Sequence, residues 1–420
     1  MNLAFYTCIF YLLIPFILLR LLWRGIKAPD YRYRWRERFA FYNKPFSQDV
    51  IWFHAVSVGE AEALFPLVRR IQKQYPDAKL LITTTTPTGS ARVKAVMQDT
   101  VAHVYLPYDV PDAINRFMRC FKPKLAVIME TEIWPNLFAG CGKNSIPLYI
   151  INARLSEKSS RGYRKIPALV LPALAQVSGI ATQTQDDANR FIAIGAASEK
   201  VNTLGNIKFD VEIPPSTLAL GLQIKADLFE GRFVWLIAST HKDEEALFLE
   251  LYTEIKQKIP ELLLVIVPRH PERFADVKKL CEQFQLAVVM RTTGARTYTE
   301  TDVYLVDTMG ELKALYAAAD VAFVGGSMVP VGGHNILEAA AVGVPVMFGP
   351  HMENFKEIAC GVLSHDAAIQ CQNKDDLVKT ILSLYQQRDY RQSLAEKGKA
   401  FVRYNQGAIT RICTMLEQSL

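Results

Sequence analysis

Three glutamates follow apolar runs in the first half of the chain, at positions where a carboxylate can do acid–base chemistry. Glu60 ends the stretch HAVSVGE, and Glu130 and Glu132 belong to METEIWPN. A carboxylate at a helix N-terminus stays ionised because the helix dipole favours negative charge, and it can remove a proton from an attacking hydroxyl. Strand alternation predicts that Glu130 and Glu132 lie on one face, where like charges raise the pKa of one partner. The placement of these three glutamates after apolar runs predicts an acid–base or ligand-positioning site.

The same carboxylates also have a purely structural interpretation. Ser57 and Glu60 have the S-x-x-E spacing of a capping box, in which two side chains satisfy N–H groups of the first helical turn. Acidic residues are favourable in the first turn of helices, which explains Glu132 better than Glu130. The sequence leaves both interpretations open.

The second half of the chain contains residue types that bind phosphate. Arg269 and His270 follow an apolar run in LVIVPRHPERF, and a guanidinium binds phosphate oxygens in a bidentate manner. Residues 323–350, FVGGSMVPVGGHNILEAAAVGVPVMFGP, read as strand, glycine-rich loop, helix and strand. Glycines permit close approach of backbone to a ligand, and the helix N-terminus near Asn335 favours an anion. Glu338, one turn later, can accept hydrogen bonds from a ribose.

Two further segments follow predicted strands. DTMGEL (307–312) opens a helix, and TTTTPTGSAR (83–92) is a polar turn whose backbone N–H groups can hold a phosphate. An ordinary turn explains the second segment equally well. It lacks the Gly-Lys-Ser/Thr of a Walker motif, and 323–350 lacks the G-x-G-x-x-G of dinucleotide-binding proteins.

These residues require elements that present them at one edge of a sheet. From Val50 onward, short apolar runs rich in β-branched residues alternate with helical periodicity, which predicts parallel sheets with helices on both faces. VEIPPS (211–216), with two prolines, separates the two series as a linker. We expect two doubly wound α/β domains with a ligand cleft between them, at the carboxyl ends of the strands. The first predicted strands are 50–56, 79–84, 102–106, 124–129, 147–151 and 179–182; the second series is 233–238, 262–267, 286–290, 303–306, 320–324 and 344–348.

The N-terminus is predicted to be a membrane anchor. Residues 3–19 carry no charge, and continuation to Trp23 with Arg20 reaching the interface gives the length of a spanning helix. A half-inserted interfacial helix fits the same residues. Seven basic and two acidic residues lie between Arg20 and Arg38, which places the following chain in the cytoplasm and favours anionic lipid. We expect no nucleic acid partner. The seven cysteines are scattered and never spaced CxxC, which argues against a disulfide framework and a structural zinc site.

Seven motifs together resemble the 3-deoxy-D-manno-octulosonic acid (Kdo) transferases of lipopolysaccharide assembly. They are HAVSVGE, ETEIWPN, INARLS, GNIKFD, PRHPERF, DTMGEL and GGHNILEAAA, and the anchor followed by RYRWRERFAFY is also similar. The resemblance covers nearly the whole chain in order. It implies a GT-B fold with an anchor helix at 1–27, an acceptor domain at 28–210 and a nucleotide-sugar domain at 211–420. It also implies inverting transfer of Kdo from CMP-Kdo to lipid IVA at the cytoplasmic face of the bacterial inner membrane, with no metal and no cofactor.

The resemblance also assigns roles to residues. The catalytic base falls on Glu60, and supporting positions fall on Glu130 and Lys208. The implied CMP contacts are Pro268, Arg269, His270, Met309, Gly310, Glu311, Asn335, Ile336, Leu337 and Glu338. Candidate contacts to the acceptor are Glu132, Thr88, Gly89, Ser90, Arg32, Arg34 and Arg36.

Three alternatives come from other classes of protein. Another membrane glycosyltransferase with a UDP-sugar donor would share both the anchor and the motifs of the second domain. A nucleotide-sugar epimerase of GT-B fold would share the second domain without needing the anchor. A non-enzymatic lipid-tethered scaffold would not need glycines, arginine and carboxylates at strand ends.

Overall fold

The computed structural model describes residues 2–42 and 48–420, which form two compact units. The first unit comprises Met1–Asp210 together with Gln406–Leu420, and the second comprises Val211–Asn405. The expected second domain, 211–420, is therefore too long at its end, because residues 406–420 pack on the first unit. The end of the chain is held on the first unit by the Asp210 carboxylate. This carboxylate accepts hydrogen bonds from the backbone N–H groups of Gly407 and Ile409, at the start of the last helix.

The first unit contains a seven-stranded parallel sheet in the order β3-β2-β1-β4-β5-β6-β7. Its strands are Ile51–His54 (β1), Leu80–Thr84 (β2), Ala102–Tyr105 (β3), Leu125–Met129 (β4), Leu148–Ala153 (β5), Gly179–Thr182 (β6) and Val201–Thr203 (β7). β1 pairs with β2 on one side and β4 on the other, so the strand order reverses beside β1. In open α/β sheets this switch point is where ligands bind.

Helices cover both faces of the first sheet. They are Leu3–Lys27 (α1), Val58–Gln74 (α2), Pro87–Met97 (α3), Pro111–Phe121 (α4), Pro135–Lys143 (α5), Glu157–Tyr163 (α6), Pro167–Ala175 (α7), Gln185–Ala193 (α8) and, at the chain's end, Ala408–Glu417 (α17). Alternate residues of β1 point to opposite cores: Trp52 packs with Phe117 of α4, and Phe53 packs in the core that includes Ile412 of α17. Burial on both faces explains why Ile51–Phe53 of β1 are apolar without alternation.

The second unit repeats the architecture with a sheet ordered β10-β11-β9-β8-β12-β13-β14, all parallel. Its strands are Phe233–Thr240 (β8), Leu262–Pro268 (β9), Val288–Met290 (β10), Val303–Leu305 (β11), Val321–Val324 (β12), Val346–Phe348 (β13) and Ile369–Gln370 (β14). Its helices are Pro215–Leu228 (α9), Glu244–Lys256 (α10), Phe274–Gln283 (α11), Leu312–Ala318 (α12), Leu337–Val342 (α13), Lys356–Ser364 (α14), Lys374–Gln386 (α15) and Arg388–Asn405 (α16).

Helix α1 is 25 residues long and begins at Asn2, whose side chain caps it by accepting a hydrogen bond from the Phe5 N–H. Within the described residues, α1 alone has the length and composition to cross a membrane, over Leu3–Ile26 with a mean hydropathy of 2.1. 3₁₀ turns of four and five residues follow it at Pro29–Arg32 and Trp35–Phe39.

Candidate active site

Glu60 lies in the first turn of α2, directly after β1 at the switch point of the first sheet. Its half-buried carboxylate accepts hydrogen bonds from the Val56 N–H at 2.8 Å and from the Ser57 hydroxyl at 2.9 Å. The Ser57 oxygen in turn accepts a bond from the Glu60 N–H at 3.3 Å. The capping interaction is therefore present, and it holds the carboxylate in one position at a strand end.

Three carboxylates influence one another at this edge. Burial raises the pKa of Glu60, and the charge of Glu130 raises it further, against the opposing hydrogen bonds from Val56 and Ser57. Burial and then the charge of Glu60 raise the pKa of Glu132 to about 7, although Glu132 also accepts a bond from the Trp134 indole at 2.8 Å. A carboxylate with a raised pKa is a stronger base near neutral pH than an ordinary one.

The structure corrects the prediction that strand alternation places Glu130 and Glu132 on one face. β4 ends at Met129, and Glu130 has a φ of +56°, which lies outside the β region and breaks the strand alternation. The positive φ turns the chain out of the strand before the proline that starts α5. The charge of Glu130 still raises the pKa of Glu132, but this turn, and not strand alternation, brings the two side chains near each other.

Lys208 lies in a short 3₁₀ turn, Ile207–Phe209, between β7 and the end of the first unit's continuous chain. The Asn206 side chain caps this turn by accepting a bond from the Lys208 N–H at 2.9 Å. The buried Asn152 of β5, at a φ of +50°, accepts a bond from the Ile207 N–H at 3.1 Å. The motifs INARLS and GNIKFD, distant in sequence, are thereby fastened together at the carboxyl edge of the sheet.

The three candidate arginines after α1 have different surroundings. Arg34 donates to both carboxylate oxygens of Glu37, at 2.7 and 2.8 Å, and to the Ser90 hydroxyl at 2.9 Å. Its guanidinium therefore fixes the segment to the first unit. Arg32 and Arg36 are exposed. Of the three, these two are better placed to meet an acceptor.

The turn after β2 is built by its own side chains. Thr86 caps α3 by accepting a bond from the Gly89 N–H at 3.1 Å, and Ser90 is buried under Arg34. Only Thr88 of the candidate set Thr88, Gly89 and Ser90 is exposed. The ordinary-turn interpretation thus accounts for the contacts of Gly89 and Ser90, while Thr88 stays a candidate.

In the second unit, Pro268 ends β9, and Arg269 and His270 are exposed immediately after it. The Arg269 N–H donates to the Thr240 carbonyl at the end of the neighbouring β8, at 3.1 Å, so the backbone is fixed while the guanidinium is accessible. His241, which sequence reasoning missed, lies 5.6 Å from His270 between ring centroids. It also lies 2.8 Å from His334 between their Nε2 atoms.

Burial lowers the pKa values of two of these histidines, His241 and His334. Burial, together with the nearby charges of His241 and Arg269, lowers the pKa of His334 to about 4. Burial also lowers the pKa of His241. Across the described parts of the chain, no set of three or more His, Cys, Asp and Glu side chains has a metal-holding arrangement.

Met309 and Gly310 form an exposed turn after β11, and Gly310 has a φ of +91° that favours glycine. Glu311 is half-buried and accepts two hydrogen bonds from Arg291, at 2.7 and 3.2 Å. That bond lowers the pKa of Glu311. The ion pair with Arg291 fixes the Glu311 carboxylate beside the turn at Met309 and Gly310.

The glycine-rich segment after β12 is organised by Glu244, a residue that the sequence did not single out. The Glu244 carboxylate is fully buried and accepts bonds from four backbone N–H groups. The donors are His241 at 3.2 Å, Gly326 at 2.7 Å, Ser327 at 3.0 Å and Met328 at 2.9 Å. In the sequence, only the position of Glu244 after β8, in STHKDEE, could have pointed to this role, because the loop that it holds is more than 80 residues away.

At the far end of this loop, the Asn335 side chain accepts a bond from the Leu337 N–H at 3.0 Å and starts α13. Ile336 and Leu337 are buried. The Glu338 carboxylate is half-buried, 3.9 Å from the Lys313 ammonium. The implied CMP contacts therefore lie at the carboxyl ends of β9, β11 and β12, on one edge of the second sheet.

Comparison with known proteins identifies the family. Residues 33–211 match the family described as 3-deoxy-D-manno-octulosonic-acid transferase (kdotransferase), and residues 240–401 match glycosyl transferases group 1. A 3-deoxy-D-manno-octulosonic acid transferase of Haemophilus influenzae (strain ATCC 51907 / DSM 11121 / KW20 / Rd) is 39% identical, with 99% of this chain and 98% of that protein covered. The chain belongs to the Kdo transferase family. It is a glycosyltransferase, as the resemblance implied.

A second Kdo transferase, from Bordetella pertussis, is 34% identical over 88% of this chain and 87% of its own length. The crystal structure of UDP-GlcNAc 2-epimerase from Neisseria meningitidis, bound to UDP-GlcNAc, matches with a TM-score of 0.55. It covers 89% of this chain and 100% of that chain at 15% identity, which shows a shared fold and nothing about substrate. The GT-B fold class expected for a Kdo transferase is confirmed.

Proposed function

We propose that this Kdo transferase moves Kdo from CMP-Kdo to the lipid A precursor lipid IVA and releases CMP. One observation carries the proposal: the family motifs lie at the carboxyl ends of parallel strands in both sheets. Glu60 follows β1, Glu130 follows β4, and Arg269 follows β9. Doubly wound sheets bind their ligands at this edge.

The chemistry assigned to each residue follows from its surroundings. Glu60 takes the proton of the acceptor hydroxyl as the hydroxyl oxygen bonds to the anomeric carbon of Kdo. The bond from that carbon to the phosphate oxygen of CMP breaks on the opposite face, which inverts the configuration. Arg269 receives the phosphate charge of CMP, since cations that meet developing charge lower the barrier. The reaction as written needs no metal and no cofactor.

Lys208 and Glu130 are assigned supporting roles. Lys208 is half-buried and its backbone is fixed by Asn206, so an ammonium is presented from a rigid turn. Glu130 acts on Glu60 through its charge, which keeps the base strong. The CMP group is assigned to Arg269, His270, the turn at Met309 and Gly310 anchored by Glu311, and the backbone of Asn335 to Glu338.

The acceptor is assigned to the first unit and the membrane. Lipid IVA is a phosphorylated lipid, and α1 is followed by the exposed guanidinium groups of Arg32 and Arg36. Anionic lipids attract such residues by about 1 kcal/mol each near a surface. We place the enzyme at the cytoplasmic face of the bacterial inner membrane, where the cytoplasmic leaflet is anionic.

CMP release tests the donor and the need for an acceptor together. Purified full-length protein is mixed with CMP-Kdo in the presence and absence of lipid IVA, and free CMP is measured. We expect CMP release only when lipid IVA is present, and none from UDP-sugar donors offered in parallel. Turnover of a UDP-sugar, or conversion of the donor without acceptor, would refute the assignment.

A further inference from the structure

The N-terminal half of α1 is fastened to the first unit by polar side chains. Thr7 donates from its hydroxyl to the Asn136 amide oxygen at 3.1 Å, and the Tyr11 hydroxyl donates to Asp112. Tyr6 makes a further side-chain hydrogen bond to the buried Asp109. All three contacts lie within the first three turns of the helix and reach the start of α4 and α5.

The C-terminal half of α1 contacts the same unit. Ile14 and Leu18 line a shallow apolar groove together with Trp35 and Phe39. Near the end of the helix Gly25 is buried, because the Arg32 side chain crosses it; a Cβ at Gly25 would lie 2.4 Å from the Arg32 Cγ atom. The helix therefore meets the first unit through polar side chains from Tyr6 to Tyr11, and it meets the segment that follows it from Ile14 to Gly25.

The opposite face of α1 is apolar and exposed along its whole length. Exposed fractions are 58% for Phe5, 73% for Leu12, 67% for Phe16, 66% for Trp23 and 68% for Ile26. These positions recur at intervals of seven, four, seven and three residues, which is one stripe of an α-helix. Arg20 and Arg24 are exposed beside the stripe. An apolar stripe next to basic residues fits the surface of an anionic bilayer.

The length of α1 and the position of its polar contacts together decide whether the helix crosses the bilayer or lies on it. A 25-residue helix is about 37 Å long, and the hydrocarbon core is about 30 Å thick. If α1 crossed with the first unit in the cytoplasm, Tyr6, Thr7 and Tyr11 would lie towards the far leaflet, away from Asp109, Asp112 and Asn136. The polar contacts of the first three turns and a spanning orientation exclude each other.

We propose that α1 lies in the plane of the membrane as an interfacial helix, with its exposed stripe in the acyl region and its other face on the first unit. The partner is the surface of a bilayer that contains anionic lipid. The inference does not depend on which sugar the enzyme transfers. It places both ends of α1 on the cytoplasmic side, together with the sheets.

The position of the N-terminus tests this directly. The full chain with Cys8→Ser and Cys120→Ser is produced in bacteria with Asn2→Cys, and sealed inside-out inner-membrane vesicles are prepared. A second version keeps Asn2 and carries an added cysteine before Met1, in case loss of the Asn2 cap disturbs the helix. Vesicles are treated with a membrane-impermeant maleimide before and after detergent. The native exposed Cys360 of α14 marks the side on which the second unit lies.

We expect the N-terminal cysteine and Cys360 to be labelled in intact vesicles to the same extent. An N-terminal cysteine that reacts only after detergent, while Cys360 reacts at once, would show a spanning helix and overturn the proposal. Release of the protein from vesicles by high salt alone would also overturn it, because the exposed stripe would then not be in the acyl region. A protein found in the vesicle-free fraction as a dimer held through α1 would assign the stripe to a second copy instead.

Discussion

In the proposed mechanism Glu60 has both of the roles that the sequence left as alternatives, the helix cap and the general base. Its carboxylate completes a capping arrangement with Ser57 and Val56, and the same two bonds fix it at the switch point of the first sheet. A structural cap and a general base are therefore compatible in one residue. They differ in what their loss costs: about 0.5–2 kcal/mol of stability for the cap, and about 10²–10⁴ in rate for the base.

The substitution Glu60→Gln distinguishes the loss of the base from the loss of the cap. Glutamine can place its oxygen at the Val56 N–H and its amide at the Ser57 oxygen, so the cap is largely kept, but it cannot take a proton. We expect a folded protein with near-normal CMP affinity by calorimetry and turnover lowered at least about a hundredfold. Glu62→Gln, an exposed change two residues on in the same helix, is the control and should be nearly silent. Near-wild-type turnover in Glu60→Gln would move the base to Glu130 or Glu132.

The pH profile tests the coupling between Glu130 and Glu60. Because the pKa of Glu60 is raised and the base acts when deprotonated, kcat/KM for the acceptor should fall as pH drops through that raised pKa. Glu130→Gln removes a negative charge, so the pKa of Glu60 should fall and the acidic limb should shift to lower pH. The exposed Glu157→Gln gives the reference profile. An acidic limb that stays in place, or that moves to higher pH, would contradict the coupling.

Arg269→Ala tests the phosphate site. Loss of a charge-assisted bond costs roughly 1.5–3 kcal/mol, which is about 10-fold to 150-fold in CMP affinity. Calorimetry with CMP measures it, and Lys278→Ala, which removes an exposed cation from α11, is the matched control. Equal affinities for both variants would relocate the phosphate to the loop around Gly332–Asn335.

At the scale of elements, hydrophobic periodicity predicted the longer strands of both sheets. β7 (VNT) and β14 (IQ) were missed because neither contains a run of apolar residues. The assignment of residues 406–420 failed because the Asp210 capping of α17 depends on a contact across nearly 200 residues. The placement of candidate residues at strand ends was predictable where a motif follows a strand directly, as at Glu60 and Arg269. Glu244 and His241 were not, because their partners lie in a loop more than 80 residues later.

The segment after α1 provides a prediction at this scale. Arg32 and Arg36 are exposed, whereas Arg34 is engaged by Glu37 and Ser90. We expect Arg32→Ala with Arg36→Ala to raise KM for lipid IVA several-fold with KM for CMP-Kdo unchanged, because only the acceptor is a membrane lipid. Arg34→Ala alone should instead lower the melting temperature. Arg69→Ala with Arg119→Ala is the charge-matched control on exposed helix positions. Equal increases in both KM values would indicate a folding role for the segment.

At the scale of the whole molecule, the functional groups are divided between two units of the same architecture. The first carries the proposed base and the membrane-facing helix, and the second carries the proposed CMP site. This division suits the proposed reaction between a lipid acceptor and a soluble nucleotide sugar, because each substrate would bind the unit whose surface matches its chemistry. Membership of the family shows Kdo transferase activity. The central proposal is that the two substrates are CMP-Kdo and lipid IVA.

The mass and linkage of the product test that claim most directly. Purified full-length protein is incubated with CMP-Kdo and lipid IVA in detergent, and the lipid product is analysed by mass spectrometry and NMR. We expect lipid IVA extended by one or more Kdo residues, with the anomeric configuration inverted relative to CMP-Kdo, and no such product from Glu60→Gln in the same time. Unmodified lipid IVA in the presence of a folded, CMP-binding protein, or a product that retains the donor's configuration, would contradict it.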